Sequence, residues 1–567
     1  MNNHKFLATN LMELHHRGIS RPDVVLITGD AYIDSSFCGT AIIGRVLEAE
    51  GYSVGIISQP DISTGKDITA LGEPRLFWGV SSGCVDSEIA NYTSLGKPRR
   101  SCDFTPGGKN NRRPDRACIV YSNLIRRHFK NTVPIVLGGI EASLRRTAHY
   151  DPRTNKIRRS ILLDAKADIL VYGMGEAPVL EIAGRLSAGQ GLEGIRGTCV
   201  MQNAPEENSV ALPDYDAIPK DKQTMADMFR LFYQNSTGPG GSPLAQKYGS
   251  RFLVQNPPAP LPSRQELDRI YELPYTNQVH PMHKSQGHVR AMDTIRNSIT
   301  THRGCYGECS FCSIAIHQGR SVISRSMDSI VREAQYMLGH DKEKGVINDV
   351  GGPTANMYGS GCSLMASGKP CQDRRCTGYD GVCSRLVHGH HKQKRLLNRL
   401  RALTNAKQIT IASGIRFDLV LSDKKHGSSY LEQVIKHHVS GQMKIAPEHS
   451  VDHVLKLMNK PRSAHVWEFA RLYRRLASKL KRNVHLSCYV IAAHPGCTIR
   501  DMKEFAGLAQ TNLKFSPEQV QIFTPAPSTR STIMYHCGVD PFTGKKVWSE
   551  KGIKGKQEQK LALKRKK

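Results

Sequence analysis

The sequence lacks long apolar runs and has few aromatic residues. Aromatic side chains make up 7% of its 567 residues, and only three of these residues are tryptophan. No run reaches the ~18 to 20 consecutive apolar residues that a membrane-spanning helix needs, and residues 1–18 contain no apolar signal core. We therefore expect no membrane contact and a cytoplasmic location.

Acidic residues are also scarce, since 50 Asp and Glu stand against 79 Lys and Arg and leave a net charge of +29. Such an excess attracts polyanions such as nucleic acid. Residues 541–567, the basic tail, hold ten Lys and Arg opposite Glu550 and Glu558. Such a run is typical of a solvated chain end, and the alternative is an arm that contacts RNA phosphates. Trp548 stands alone there, so the tail has no aromatic array for base stacking.

The composition is that of a folded chain, with 39% hydrophobic and 23% charged residues. At roughly 150 residues per domain, the length predicts about three to four domains or two large ones. The patterns along the chain predict an N-terminal Rossmann-like domain at 1–197 and a Pro/Gly-rich connector at 198–290. They predict a βα-barrel domain at 291–540, followed by the basic tail.

The first 190 residues alternate between strand-like and helix-like periods. A β-branched run at 23–28 ends at Gly29, a helical stretch follows at 39–50, and a second strand at 52–58 completes a βαβ unit. This pattern predicts a doubly wound parallel sheet. Its further strands are expected at the apolar runs 76–80, 117–121, 133–137 and 169–172.

Proline and glycine accumulate in residues 198–290, which favours turns and extended chain over a packed sheet. Two short helical patterns interrupt them, at 222–233 and 264–272, and Ser263 and Glu266 form a capping-box signature at the start of the second. We interpret the whole segment as a connector.

After residue 298 the alternation of strands and helices resumes, with helical stretches such as 326–338 and 463–481. About six such units predict a partial or full βα barrel, in which chemistry takes place at the carboxyl ends of the strands. The strand-like runs lie at 345–350, 408–412, 441–446, 484–492 and 519–523.

Cysteine is plentiful, and three of the 15 cysteines form a spaced motif, Cys305-x-x-x-Cys309-x-x-Cys312. Three thiolates on one loop can bind three irons of a [4Fe–4S] cube, and the missing fourth cysteine leaves one iron open. The motif resembles that of the radical S-adenosylmethionine (radical SAM) superfamily. The alternative is a zinc site completed by His302 or His317.

Longer blocks carry the resemblance further, and on them the chain is identified as a member of the YgiQ family of radical SAM proteins. The resemblance implies a [4Fe–4S] cluster on the three cysteines and S-adenosylmethionine with its methionine end near Gly351 and Gly352. It places Phe311 near the adenine and implies a flavodoxin-like or ferredoxin-like reductant protein, but it names no substrate and no further catalytic residue. The blocks are TGDAY at 28–32, GGIEASLRRTAHY at 138–150, GGPTANMY at 351–358 and KIAPEH at 444–449.

A second group of cysteines follows the Gly351-Gly352 turn in a loop with few apolar residues. Four thiols suit one closed metal site, and we interpret them as an auxiliary iron–sulfur cluster or a zinc site. The alternative is a set of free thiols. The group comprises Cys362, Cys371, Cys376 and Cys383.

The N-terminal sheet resembles the cobalamin-binding domain that precedes the barrel in many radical SAM enzymes. The Asp-x-His-x-x-Gly motif that supplies a histidine to cobalt is absent, because Asp30 to Asp34 follows the first strand and the next histidine is His128. Cobalamin binding without a protein ligand and a Rossmann-like domain without cobalamin both stay open.

Several polar residues near strand ends have an ambiguous role. His449 and His494 follow apolar strands, as does Glu448, and each is interpreted either as a substrate or cofactor contact or as a structural hydrogen-bonding group. Arg145 and Arg146, which lie beside Glu141 in sequence, could bind an anion or form surface ion pairs, and we favour the surface ion pairs.

Three hypotheses of function remain. The first is radical modification of RNA or a ribosomal component, motivated by the net charge of +29. The second is radical chemistry on a small metabolite, for which the charge is incidental. The third is a non-catalytic nucleic-acid-binding protein that is stabilised by metal.

Overall fold

The computed structural model describes residues 5–236, 240–340, 345–366, 371, 375–513 and 519–563. The chain forms two compact units. Unit 1 comprises residues 1–261 and 269–296, and unit 2 comprises residues 262–268 and 297–567. In the part of the chain that the structure describes, every helix is too short or too polar to cross a bilayer.

Unit 1 is organised around a mixed sheet of nine strands, counted over the described residues. Five neighbouring strands, in the order β3, β1, β4, β5 and β8, run parallel, and the remaining pairs, except β10 with β11, are antiparallel. Two short ladders, β2 with β13 and β6 with β7, lie outside the sheet. The strands are β1 Val24–Thr28, β2 Ile33–Asp34, β3 Val54–Ser58, β4 Phe77–Ser81, β5 Ile135–Leu137, β6 His149–Asp151, β7 Lys156–Arg158, β8 Ile169–Val171, β9 Thr198–Gln202, β10 Val210–Leu212, β11 Leu244–Tyr248, β12 Arg251–Gln255 and β13 Gln278–Val279.

The central strands β1 and β3 are buried along their whole length, as expected of parallel strands that are covered on both faces. Two separate apolar clusters pack against the sheet, one that includes Leu26 and Val46 and another that includes Ile27 and Tyr121. The helices before residue 297 are α1 Leu11–His15, α2 Gly39–Ala49, α3 Ser87–Asn91, α4 Ala117–His128, α5 Gly139–Leu144, α6 Ile161–Asp164, α7 Glu176–Ser187, α8 Lys222–Asn235, α9 Arg264–Tyr271 and α10 Ala291–Ile295.

Two predictions for this half of the chain are wrong. The run 117–121 begins helix α4 instead of forming a strand, because Ala117, Cys118, Tyr121 and Ile125 are buried at helical spacing. The predicted connector at 198–290 contributes β9 to β12 to the sheet, since its Pro/Gly-rich stretches only join these strands. The capping box of α9 is present, with Ser263 N donating to Glu266 Oε2 at 2.7 Å.

Unit 2 contains an incomplete parallel barrel. Its described strands follow the order β14, β17/β18, β21, β22, β23 and β24, in which a single parallel bridge from Ile415 to Ile445 joins the first three to the last three. Unit 2 also contains two short antiparallel ladders, β15 with β16 and β19 with β20. The strands are β14 Ser298–Thr300, β15 His302–Arg303, β16 Ile323–Ser324, β17 Val346–Ile347, β18 Asp349–Gly351, β19 Gly361–Cys362, β20 Leu386–Val387, β21 Gln408–Ile409, β22 Gln442–Glu448, β23 His485–Ala492 and β24 Gln519–Ile522.

The barrel core is a single large apolar cluster between these strands and the helices outside them, with Ile347, Ile445 and Phe469 among its fully buried members. Each helix buries one apolar face, as Val466, Phe469 and Tyr473 do along α18. The helices are α11 Ile314–His317, α12 Met327–His340, α13 Ser363–Ala366, α14 His391–Arg401, α15 Phe417–Ser422, α16 Gly427–His437, α17 Asp452–Met458, α18 Ser463–Lys479, α19 Ile499–Leu508, α20 Arg530–Cys537 and α21 Ile553–Leu561.

The described part of the basic tail, up to residue 563, packs onto the barrel and is not a free arm. Gln559 of α21 is buried and its Oε1 accepts a hydrogen bond from Ala493 N at 2.9 Å. Lys556 is also buried and donates to the Tyr535 hydroxyl at 3.0 Å. The last four basic residues, 564–567, lie outside the described residues.

Candidate functional site

The three cysteines of the spaced motif lie on one loop after the first barrel strand, β14. The antiparallel pairing of β15 with β16 brings the chain back to the start of this loop. Gly304 opens the loop with a φ of +79°, where a Cβ atom would lie 1.9 Å from the carbonyl oxygen of Ser321. Cys312 N donates to Cys309 O at 2.9 Å, which folds the second half of the loop into a turn. The loop therefore presents Cys305, Cys309 and Cys312 on a short, closed segment.

The thiols are surrounded by groups that donate hydrogen bonds. Gly307 N donates to Cys305 Sγ at 3.4 Å, and Thr354 Oγ1 lies 3.9 Å from the same sulfur. Arg416 directs its Nη1 at Cys309 Sγ, 4.0 Å away. Such N–H···S contacts stabilise sulfur that carries negative charge, and around iron–sulfur clusters they adjust the reduction potential.

Burial and mutual repulsion keep two of these thiols protonated when no metal is bound. Burial, followed by the proximity of Cys309, raises the pKa of Cys305 and raises that of Cys312 to about 12. Cysteine must lose its proton to bind metal, so the site favours a ligand of high positive charge. Among the residues that the structure describes, no three His, Cys, Asp or Glu side chains lie close enough to share one metal ion. Each thiolate of a cube binds a different iron, so the three thiols of a cluster site need not meet at one ion as they would at zinc.

The two predicted glycines lie at the end of β18, with Gly351 as its last residue and Gly352 directly after it. A Cβ atom at Gly352 would lie 2.7 Å from the His302 ring, and one at Gly351 would lie 2.7 Å from Ser413 Oγ. Thr301 N donates to Gly351 O at 2.7 Å, which continues the pairing of β14 with β18. Packing alone therefore requires both glycines, and their predicted contact with S-adenosylmethionine stays a prediction.

Phe311, a residue of the cysteine loop, contacts His494. Their rings meet edge to face, with centroids 6.2 Å apart. His494 is fully buried, and its Nε2 lies 2.6 Å from Ser531 Oγ. Ser531 N in turn donates to Ser310 O at 2.8 Å, so this group connects helix α20 to the cysteine loop. Burial lowers the pKa of His494 to about 3, and the neutral ring acts as a structural hydrogen-bonding group.

The other candidates at the end of β22 divide into two roles. His449 is buried between Val451 N, which donates to its Nδ1 at 3.0 Å, and Cys497 Sγ, 3.5 Å from its Nε2. It is satisfied and structural. Glu448 has a φ of +66° and faces Lys460, with 3.8 Å between Oε1 and Nζ. Burial raises the pKa of Glu448 despite this lysine, which also acts electrostatically on the Cys312 thiol.

Sequence reasoning missed Arg416, the cation beside the cysteines. Its Nε and Nη2 donate to the Asp418 carboxylate at 3.0 and 2.7 Å, and its backbone N donates to Asn356 Oδ1 at 2.8 Å. Burial opposes its charge, but Asp418 outweighs this and raises the pKa of Arg416. Its position shortly after β21, at the carboxyl end of a barrel strand, was the available signal.

The second cysteine group lies next to the first. Cys383 N donates to Cys376 O at 2.9 Å, and the thiols of Cys362, Cys371 and Cys383 are close enough to raise the pKa of Cys376, after the effects of burial and of Glu308. Cys376 and Cys383 pack against the same small apolar cluster as Cys305 of the triad. The structure thus brings the four predicted thiols together beside the candidate cluster loop.

The carboxyl edge of the sheet in unit 1 does not fit cobalamin. Strand β1 lies between β3 and β4, so the order of the sheet reverses there, where such folds bind ligands. The space is filled by the chain itself: Arg113 forms a buried ion pair with Asp30, Gln59 Nε2 donates to Thr105 Oγ1 at 2.8 Å, and His283 Nε2 accepts from Tyr32 N at 3.1 Å. A corrin ring would have to displace these contacts.

The prediction of surface ion pairs for the block at 138–150 is wrong. Glu141, Arg145 and Arg146 are all buried. Arg145 forms its ion pair with Asp86, and Arg146 instead lies with Cζ 4.4 Å from the ring centroid of Tyr172. The error arose because arginine is usually exposed, whereas here the loops at the sheet edge enclose their charges.

Comparison with known proteins places the chain in a family. A family model described as Radical SAM N-terminal matches residues 6–298. A UPF0313 protein of Fusobacterium nucleatum is 49% identical over 98% of this chain and 98% of its own length. The chain belongs to the UPF0313 family. A second UPF0313 protein, from Thermotoga maritima, is 44% identical over 97% of this chain and 96% of its own. UPF0313 is the YgiQ family, so the resemblance seen in the sequence is confirmed.

A solved structure of similar fold is that of TsrM from Kitasatospora setae, a radical SAM methyltransferase with cobalamin and a [4Fe–4S] cluster bound. The TM-score is 0.52 at 15% identity, over 91% of this UPF0313 chain and 74% of that chain. At such low identity the similarity concerns the fold. The predicted fold class, a Rossmann-like parallel sheet followed by a partial βα barrel, is confirmed.

Proposed function

We propose that this UPF0313 protein is a radical SAM enzyme in which Cys305, Cys309 and Cys312 bind a [4Fe–4S] cluster with one open iron. The observation that carries the proposal is the placement of three thiols on one closed loop after the first barrel strand, in a chain of a radical SAM family. Barrel enzymes hold their reactive groups at this end of the strands.

The residues around the loop have defined tasks in such an enzyme. When bound, the cluster supplies the electron that cleaves S-adenosylmethionine to a 5′-deoxyadenosyl radical. Arg416 donates toward Cys309 Sγ and Gly307 N–H toward Cys305 Sγ, so both stabilise charge on the thiolates. Phe311, which lies within the loop, packs edge to face against the buried His494 and so anchors the loop.

The central experiment follows 5′-deoxyadenosine after anaerobic reconstitution with iron and sulfide and addition of S-adenosylmethionine and dithionite. We expect the nucleoside from the wild type and a loss to background in Cys309→Ala. The matched control is Cys488→Ala, which removes a buried thiol from β23 outside both cysteine groups. Cleavage should persist in this control.

A wild type that holds a reducible cluster but forms no 5′-deoxyadenosine would overturn the proposal. It would favour the non-catalytic nucleic-acid-binding hypothesis, in which metal only stabilises the fold. A zinc content of about one per chain with no iron would have the same meaning.

Reduction of the cluster needs a partner, and we propose a flavodoxin-like or ferredoxin-like protein. The net charge of +29 supports a docking partner of opposite sign. With such a protein in place of dithionite, 5′-deoxyadenosine formation should fall as salt rises, whereas the dithionite reaction should change little. Equal salt dependence of the two reactions would contradict this partner.

For the substrate we propose RNA or a ribosomal component, with a small metabolite as the alternative. The net charge supports the proposal, but α21 is part of the barrel, so deletion of the basic tail would also remove the buried Gln559 contact. A better variant changes the exposed Lys545, Lys546 and Lys554 to Glu. RNA binding by the wild type should weaken steeply with salt, and the variant should show a shallower slope. RNA binding that is absent or insensitive to salt would favour the metabolite.

A further inference from the structure

We propose that Cys362, Cys371, Cys376 and Cys383 bind a second iron–sulfur cluster, closed on all four sides by thiolate ligands, beside the radical SAM cluster. The inference goes beyond the proposed function, because it concerns a separate centre whose existence does not depend on cleavage of S-adenosylmethionine. Four thiolates leave no iron open, in contrast to the triad.

The first argument is that backbone hydrogen bonds at the cysteines hold this loop in place. Cys362 lies in β19 and pairs with Leu386 of β20, and Leu386 N donates to Cys383 O at 3.0 Å. The contact between Cys383 N and Cys376 O, at 2.9 Å, closes the loop between the last two thiols. Backbone hydrogen bonds therefore fix three of the four cysteines, Cys362, Cys376 and Cys383.

The second argument is a set of hydrogen bonds from one side chain that joins the two cysteine loops. Asn459 has a φ of +54°, and its Nδ2 faces Gly307 O at 3.2 Å, Glu308 O at 3.1 Å and Thr377 O at 3.3 Å. A Cβ atom at Gly378 would lie 2.3 Å from Asn459 Oδ1, so the loop approaches this side chain closely. One buried amide thus ties the loop of the triad to the loop of the second group.

The third argument concerns what stabilises the second loop. The apolar cluster beneath it has four buried members, and the side chains added from this loop are Cys376, Val382 and Cys383. Among its described residues, this loop therefore adds little of the apolar burial that usually orders a loop, and its four cysteines are half-buried. Metal ligation supplies that stability in small cysteine-rich segments.

The site is assigned to iron because of how the ligands of the two metals are arranged. Four thiolates on one zinc meet at a single ion and lie about 3.8 Å apart, given Zn–S bonds of about 2.3 Å and tetrahedral geometry. Among the described side chains, no three potential ligands share one ion, in this group or in the triad. A cube does not require this, because each thiolate binds a different iron.

The test measures iron, acid-labile sulfide and zinc per chain in anaerobically reconstituted full-length protein. We expect about eight iron atoms in the wild type, as in two cubes, and about four in each of two variants. One variant is Cys305→Ala/Cys309→Ala/Cys312→Ala and the other is Cys376→Ser/Cys383→Ser. The control, Cys488→Ser/Cys537→Ser, removes two buried thiols outside both groups and should keep about eight.

The triad variant tests the second cluster in the absence of the first one and without any substitution in the second loop. It should retain about four irons and, once reduced, an electron paramagnetic resonance signal, although it forms no 5′-deoxyadenosine. Loss of all iron in this variant, or zinc in place of iron, would overturn the second cluster. Failure of the proposed function looks different, because the wild type would then hold two clusters and cleave nothing.

Discussion

The carboxyl edge of the sheet in unit 1 and that of the barrel in unit 2 hold different kinds of polar residue. In unit 1, the residues beyond β1 and β4 are charged and pair with one another, as Asp30 does with Arg113 and Asp86 with Arg145. In unit 2, the loop beyond β14 carries three thiols. Gly307 N donates to Cys305 Sγ, and Arg416 lies beside Cys309 Sγ.

This difference separates an edge whose polar groups stabilise the fold from an edge whose polar groups can take a ligand. A buried charge that has its counter-charge needs no further ligand, and removal of one partner leaves the other unpaired. A group of thiols can instead release its protons and bind a metal. We therefore expect a cofactor at the edge of unit 2 and none at the edge of unit 1, where the polar groups are already paired.

The largest expected contrast concerns cobalamin. Incubation of the purified protein with hydroxocobalamin, followed by gel filtration, should leave no cobalamin absorbance in the protein fraction, because Arg113, Gln59 and His283 fill the edge of unit 1. The same sample should hold iron after reconstitution, which shows that it is folded. Cobalamin at about one per chain would mean that the edge opens and that the comparison is wrong.

The next effect is on stability. Arg113→Met leaves the carboxylate of Asp30 buried without its partner, and we expect the free energy of unfolding to fall by about 3 to 5 kcal/mol. Urea denaturation measures the change. Arg126→Met removes an exposed ion pair with Asp168 and should cost about 1 kcal/mol or less. Equal losses in both variants would show that the buried pair is not what closes this edge.

Hydrophobic periodicity and motif spacing were enough to predict the barrel strands and the cysteine triad, because both depend on residues close in sequence. The connector was misjudged because its Pro/Gly-rich stretches were given more weight than its short strands, although β11 and β12 form a local hairpin; only the pairing of β9 with β12 joins residues about 50 positions apart. Arg416 was missed for a similar reason, since its contact with Cys309 joins residues more than a hundred positions apart. Burial of Arg145 and Arg146 depends on loops that enclose the sheet edge, which periodicity does not describe.

A smaller effect is expected on the reduction potential of the cluster. Arg416→Gln removes a cation beside Cys309, and the reduced cluster, which carries one more negative charge, loses more stabilisation than the oxidised one. The midpoint potential should become more negative by roughly 50 mV, about a tenfold change for one electron. A redox titration followed by electron paramagnetic resonance measures it, with Arg416→Lys as the variant that keeps the charge. An unchanged potential in Arg416→Gln at normal iron content would place the arginine too far from the cluster to act on it.

The smallest effect is a pH dependence that belongs to the edge of unit 1. Burial lowers the pKa of His283 to about 4, against a hydrogen bond with Gln286, while the unfolded chain keeps a pKa of about 6.5. Between these two pH values the unfolded state binds more protons, so the free energy of unfolding falls as pH drops, by at most about 1.4 kcal/mol per pH unit for this one group. The neutral ring also accepts from Tyr32 N, a contact that protonation abolishes.

His283→Gln should therefore flatten the fall in stability between about pH 6.5 and 4, as measured by urea denaturation at several pH values. His288→Gln is the matched control, because the His288 side chain is 60% exposed beside Asp293 and should keep the slope of the wild type. Other buried histidines such as His149 titrate in all three proteins, so the difference between the slopes isolates position 283. Identical slopes in His283→Gln and the wild type would mean that water reaches this ring, and the edge of unit 1 would then be open where the comparison requires it to be closed.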